Sequence, residues 1–243
     1  MTLSTIPVLF ALQLAFLFAI GLKARSYAAV VAAFVVGFVL TGWGGVSAAM
    51  ALSGVYETNW FLALFPGLWL PTIPFVLAFA VLLIPAVRSG FLLMCDATPD
   101  HWFVAIQILR VAAVGTLIKT IQGDFPLEVE LAIGLTDLAF GLSAIWLFFK
   151  ARRNQVSADA LMLWHIVGVL IIIIPGEIAM QTGLPGPMRV FTQYPTSEVM
   201  LDLPMVLAPS LVVPSFLLLN ILAAFAAYLR PTSRLTERNI KHG

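Results

Sequence analysis

The sequence predicts an all-α integral membrane protein of seven transmembrane helices, and three observations carry that prediction. Hydrophobic residues make up 61% of the chain and charged residues only 10%. A soluble domain is about a quarter charged, so a soluble fold of this composition could not cover its own surface. Apolar runs recur at about 20 residues, the length a helix needs to cross a bilayer. Within them, stretches such as IVGVLIIIIPG are apolar on every side, whereas a β-barrel strand alternates apolar and polar residues.

The seven segments fall near 5–22, 28–51, 61–87, 103–122, 131–149, 160–181 and 199–229. The first follows MTLSTIPVLF, which has no Lys or Arg before its apolar run. A cleaved signal peptide would need a basic leader, so a retained helix is expected. The second contains GWGG at 42–45, small residues that permit close backbone packing. The third is long enough to tilt, or to open with an interfacial turn at its prolines. After it, RSGFLLMCDATPDHW reads as an inner loop, with Asp96 and Asp100 exposed and Cys95 reduced. The fourth and fifth are joined only by GDFPLEVE, which makes them antiparallel neighbours. In the sixth, Pro175 and Gly176 loosen the helix beside Glu177, as a hinge or a ligand shelf. The seventh is long and proline-rich, like the third.

Basic residues set the orientation. Lys23, Arg25, Arg88, Lys150, Arg152, Arg153, Arg230, Arg234, Arg238 and Lys241 all fall on one side, and only Arg189 falls among the loops of the other. The positive-inside bias puts the N-terminus outside and the C-terminus in the cytoplasm, in a cytoplasmic (inner) membrane. A repeat is also visible. LKAR ends the first segment and FKARR the fifth, and Tyr56, Pro66 and Pro71 have the spacing of Tyr194, Pro204 and Pro209. This predicts a 3+1+3 plan of parallel repeats within one membrane domain, 1–243. Repeat one is 1–88, the inner loop and linker helix 89–123, repeat two 124–230, and the cytoplasmic tail 231–243. Each tyrosine is expected at the outer interface. The proline pairs either kink the helix starts and line a cavity open to the outside, or merely start helices.

An ionisable residue inside a bilayer is costly and marks a functional hypothesis. Those here are Arg110, Lys119, Asp137, His165 and Glu177, with Gln13, Gln107 and Asn220 as weaker companions. At about 1.5 Å per residue from the inner end, Lys119, Asp137 and Glu177 share an outer layer, and Arg110, Gln107 and His165 an inner one. A Lys119–Asp137 pair fits by depth. Arg110–Asp137 spans about two turns and needs tilt or the reach of arginine. Two buried pairs would balance the charges, and they would serve either a ligand or interhelix packing. Lys119 and Glu177 could instead snorkel to the interface. His165 reads as a hydrogen-bonded histidine; its alternatives are a proton carrier or a haem ligand, with His101 or His242 as the second axial ligand.

One cysteine leaves no intramolecular disulfide and no cysteine-based metal site, and no metal site is predicted. HExxH, GxSxG and Walker motifs are missing, and the seventh segment has no lysine for a retinal Schiff base. A net charge of +1 gives no reason to expect nucleic acid.

From Gln107 onward the chain resembles a family of uncharacterised bacterial membrane proteins. The resemblance rests on QILR at 107–110, GDFP at 123–126, GLTDLAFGL at 134–142 and LPMVLAPSLVVP at 203–214. It implies no chemistry. The 3+1+3 plan is similar in architecture to the sugar-transporting seven-helix proteins and the microbial rhodopsins, although the Pro-Gln motif of the former's relatives is missing. The leading expectation is a small-molecule carrier or binding protein. Asp137 and Glu177 would give polar or proton-linked contacts, Arg110 and Lys119 would balance them, and Pro66, Pro71, Pro204 and Pro209 would shape the outer mouth. The alternatives are a membrane-embedded enzyme acting on an amphipathic substrate, or a scaffold or accessory subunit whose buried charges specify packing. The expected partners are lipid and an unknown small molecule, and an oligomer is compatible with the sequence.

Overall fold

The computed structural model describes residues 5–241, with side chains described as far as Arg230. Residues 1–4, His242 and Gly243, and the side chains of the predicted tail, including Arg234, Arg238 and Lys241, lie outside the described part. Among the described residues there is no strand. The main helices are α1 (Thr5–Lys23), α2 (Tyr27–Leu52), α3 (Pro66–Leu82), α4 (Pro85–Ala97), α5 (Asp100–Gln122), α6 (Leu127–Arg152), α7 (Ala158–Gly183) and α8 (Ala208–Arg230), with the helical backbone continuing to Lys241. Six are long and apolar enough to cross a membrane, and α3 with α4 would make a seventh if the bent pair is one span.

In α8, 72% of the most apolar stretch is buried, against 22% in α1 and 39% in α2. α8 is thus the central post, and the other helices keep an apolar face outward for lipid. Small residues let the backbones approach: Gly21 lies against Ala33, Gly44 against Leu211, and Gly141 against the Val111 backbone.

Three expectations need correction. The segment 61–87 is not one helix, because α3 and α4 meet at 104°. Pro85 opens α4, lacks an N–H, and holds Ile84 in an extended conformation. The stretch read as an inner loop is therefore largely helix. Val87, Gly90, Met94 and Cys95 recur at helical spacing and form its buried face, while Arg88, Ser89 and Asp96 point outward. Asp100 is half-buried and paired with Arg230. The last crossing begins at Ala208 rather than 199; the chain before it is a short 3-10 turn, Ser197–Leu201, followed by irregular turns.

The two Tyr–Pro–Pro marks sit in different surroundings. Tyr56 is buried, and only Tyr194 is exposed as expected. Pro66 opens a short helical turn after Phe65, which takes the left-handed conformation, whereas Pro204 lies in a turn. α7 is continuous through Pro175.

The proline-rich start of α8 is a π turn, Ala208–Val212. Pro214 cannot donate to the carbonyl four residues earlier, that of Ser210. Trp43 Nε1 donates to it instead, at 2.8 Å, and Gln13 Nε2 donates to the Val212 carbonyl at 3.0 Å. A freed carbonyl in the bilayer interior needs such a partner. Tyr56 joins the same knot: its hydroxyl lies 2.9 Å from Ser47 Oγ, Ser47 donates to Ser210 Oγ at 2.9 Å, and Ser210 donates to the Val206 carbonyl. Because Ser47 spends its proton on Ser210, Tyr56 donates to Ser47. Burial pushes the Tyr56 phenol above its ordinary range, and the Ser47 hydrogen bond opposes the shift.

Candidate functional site

α6 opens with LEVELAIGLTDLAFG, in which Glu130, Gly134, Asp137 and Gly141 recur every three or four residues. This polar-and-small stripe faces the bundle. Gly141 sits 2.6 Å, measured from an ideal Cβ, from the Val111 backbone of α5, so a side chain there would push the two helices apart. At that close approach Arg110 reaches Asp137. Its Nε donates to Asp137 Oδ1, and its Nη1 donates to the Gly168 carbonyl at 3.3 Å. The two turns that separate the pair by depth are closed by the arginine's length and by a 3-10 stretch of α5, Ile108–Ala113. Such a stretch rises about 2.0 Å per residue rather than 1.5.

The guanidinium lies 4.3 Å from the centre of the Phe140 ring, which stacks on Trp164 at 4.1 Å. Gly168 leaves room for that ring. Arg110 is 1% exposed, and its Nη2 has no hydrogen-bond partner.

Beside this pair is a cavity of about 460 Å³. It lies toward the end where α1 begins, since Thr5 and Ile6 line it. Eight of the sequence-predicted residues line it together: Arg110, Asp137, Lys119, Glu177, Gly176, Pro71, Pro204 and Pro209. The rest of the wall is largely apolar, with Phe75, Ile172, Met180, Met205 and Phe216, and Thr116 adds a hydroxyl. Glu177 is half-buried and accepts from Thr72 Oγ1 at 3.0 Å. Lys119 is exposed and has no carboxylate partner among the described residues, so the depth-matched Lys119–Asp137 pair is replaced by Arg110–Asp137, because Gly141 brings α6 against the Arg110 turn and not against Lys119.

His165, Gln107, Pro66 and Pro175 do not line this cavity. His165 is 2% exposed, and its Nδ1 lies 2.7 Å from Asn220 Oδ1; Asn220 Nδ2 donates to Gln107 Oε1 at 3.3 Å. The Asn220 oxygen only accepts, so Nδ1 carries the proton. His101 packs its ring against Phe148 instead. Pro66 is buried at the start of α3, where Gly67 N–H donates to Gln181 Oε1 at 2.8 Å.

Sequence reasoning missed Glu130, which it left as the last residue of the GDFPLEVE connection. Glu130 is 1% exposed, in a π turn of α6, close to Thr116 and Asp137, and neither carboxylate oxygen has a hydrogen-bond partner. Its place on the Gly134–Asp137–Gly141 stripe was the signal that could have found it.

The long apolar helices, the central buried post and the interior ion pair define an all-helical, multi-pass membrane protein. Residues 63–228 match the family model described as a domain of unknown function (DUF8737), and the chain belongs to that family. The match covers every motif quoted above for the resemblance and begins well before Gln107. Comparisons with curated proteins and with solved structures found no match.

Proposed function

We propose that this chain is a membrane carrier or binding protein for a small amphipathic molecule, and that the 460 Å³ cavity is its site. The observation that carries this reading is the composition of the cavity wall. Apolar walls with a few convergent polar groups, at a volume of about 300–1,000 Å³, are the usual make-up of a small-molecule site. The apolar body of the ligand packs on Phe75, Met180 and Phe216, and its polar end meets Lys119, Glu177 and Thr116. Arg110 and Asp137 hold each other and set the cavity floor. Glu177, which lines the cavity, is the group suited to carry a proton with the cargo.

The same proposal includes seven passes in a 3+1+3 order, an external N-terminus and a cytoplasmic membrane. Two contacts support the seventh pass. Ser47, late in α2, bonds Tyr56, while Trp102, early in α5, carries Lys23 of the far end of α1 over its ring at 5.0 Å. The chain between them changes ends, and α3 is the route. Lys23, Arg25, Arg88, Lys150, Arg152, Arg153 and Arg230 cluster at the end opposite the cavity, which supports the orientation. Both proline-bearing passes open irregularly, by a 3-10 turn at Leu70–Thr72 and a π turn at Ala208–Val212, which supports relating the first and last triplets.

The test is thermal unfolding of the detergent-solubilised protein against a panel of small carboxylated, phosphorylated and zwitterionic amphiphiles. A member of the panel raises the midpoint, and the rise shrinks at least tenfold in apparent affinity in Lys119→Gln or Gly176→Leu. In proteoliposomes the same compound drives proton uptake that Glu177→Gln abolishes. Stabilisation that survives both cavity variants rejects the site; binding without uptake leaves a binding protein rather than a carrier.

A further inference from the structure

A second cavity lies on the other side of α8. It holds about 470 Å³ and shares no lining residue with the first. Its walls come from α1, α2, α3, α4 and α8, and it is framed by the 104° turn between α3 and α4. Had α3 run on straight, α4 would not cross beneath this space. The groove opens toward the lipid-facing surface, because Phe79, Leu92 and Phe225 on its rim are exposed. Its wall is almost wholly apolar.

One charged residue lines it. Arg88 is exposed at the basic end of the bundle, no carboxylate pairs with it among the described residues, and no acidic residue lines the groove. Arg230, at the same end, is instead held by Asp100. At the other end of the groove are Gln13 and Ser215, 3% and 4% exposed, whose Oε1 and Oγ have no partner. The groove is thus cationic at its mouth, apolar along its length, and closed by two polar side chains near the middle of the bundle. From Phe225 to Ser215 the helical rise gives roughly 15 Å, about half the bilayer core.

We propose that this groove is a binding site for one anionic phospholipid, drawn from the leaflet at the basic end. Its phosphate sits against Arg88, one acyl chain lies along Leu17, Leu82 and Leu222, and the chain ends short of Gln13 and Ser215. Charge complementarity selects the headgroup: a lysine or arginine at the membrane surface attracts anionic lipid, and its guanidinium can meet a phosphate through two hydrogen bonds. The bend at Pro85 makes the site, since it both opens the groove and places Arg88 one turn into α4.

The test uses full-length protein in nanodiscs of equimolar phosphatidylglycerol and phosphatidylcholine, transferred to detergent and weighed by native mass spectrometry. Wild type retains one phosphatidylglycerol per chain, about fivefold in preference to phosphatidylcholine, as expected for one surface cation. Arg88→Gln brings that preference close to one. Leu14→Trp, which fills the groove, removes retention of both lipids; unfolding midpoints of both variants close to wild type show that the fold is intact. Equal retention of the two lipids by wild type overturns the proposal. So does a preference that survives Arg88→Gln, or one lost equally in Lys150→Gln, which would mean general surface charge. If Leu14→Trp unfolds, the Arg88→Gln result alone decides. A retained free fatty acid in place of phospholipid overturns the assignment of source.

Discussion

Arg110 and Asp137 show how far a single residue can be read from sequence. Both stood out as charges deep in apolar runs, but the partner chosen by depth was Lys119. Depth counts residues along ideal helices; it does not see a 3-10 stretch or a glycine contact that brings two backbones together. Glu130 was overlooked for a related reason. A charge near a predicted helix end looks like a loop residue until the stripe it shares with Gly134, Asp137 and Gly141 is noticed. Because the pair is buried, removing one partner leaves an uncompensated charge. Asp137→Asn should cost about 3 kcal/mol of stability, and Arg110→Leu with Asp137→Leu together should cost less than Asp137→Asn alone; thermal unfolding in detergent compares them. Tyr56 gives a second outcome. Its phenol is raised when folded and stays protonated above the ordinary tyrosine value of about 10, while the unfolded chain ionises there. Its contribution is complete below that value and is lost as pH rises through the folded value. The stability difference between wild type and Tyr56→Phe, about 1 kcal/mol at neutral pH, should shrink in midpoints followed above about pH 10.

Among the elements, the long apolar spans were legible because about 20 apolar residues leave little else for the chain to do. The connecting stretch at 85–97 was not, because its four buried positions, Val87, Gly90, Met94 and Cys95, are scattered among Ser, Arg and Asp. Composition says loop there, and only the helical spacing says otherwise. The proline effects were legible in kind but not in detail: that a carbonyl would be freed followed from Pro214, but that Trp43 would satisfy it did not. Glycines separate two kinds of position. At Gly67 an added Cβ would lie 2.5 Å from Gln181 N, whereas at Gly45 it would meet nothing within 4 Å. Gly67→Ala should therefore lower stability by about 1–3 kcal/mol, and Gly45→Ala should leave it within about 0.5 kcal/mol. Equal midpoints for the two variants would contradict the close approach of α3 to α7.

For the molecule as a whole, composition points to lipid as the solvent and the basic residues support the proposed orientation, but the number of passes depends on what α3 does. Accessibility labelling settles it. In a Cys95→Ala background, a membrane-impermeant maleimide should label Ser53→Cys in intact cells and Ser89→Cys only in inverted vesicles. Labelling of both from one side would make α3 a re-entrant loop and leave six passes.

The turn at Pro85 has a consequence for the surrounding bilayer. α3 stops at Leu82 after a helix that includes the 3-10 turn Leu70–Thr72, roughly 27 Å of rise, short of the roughly 30 Å hydrocarbon core. α2, at 26 residues, is long enough to cross the core with length to spare, whereas α3 alone would underfill it. If α3 crosses as the proposed seventh pass, mismatch of this kind would be relieved by local thinning, and that flank would favour shorter lipids or the matching flank of a neighbouring molecule.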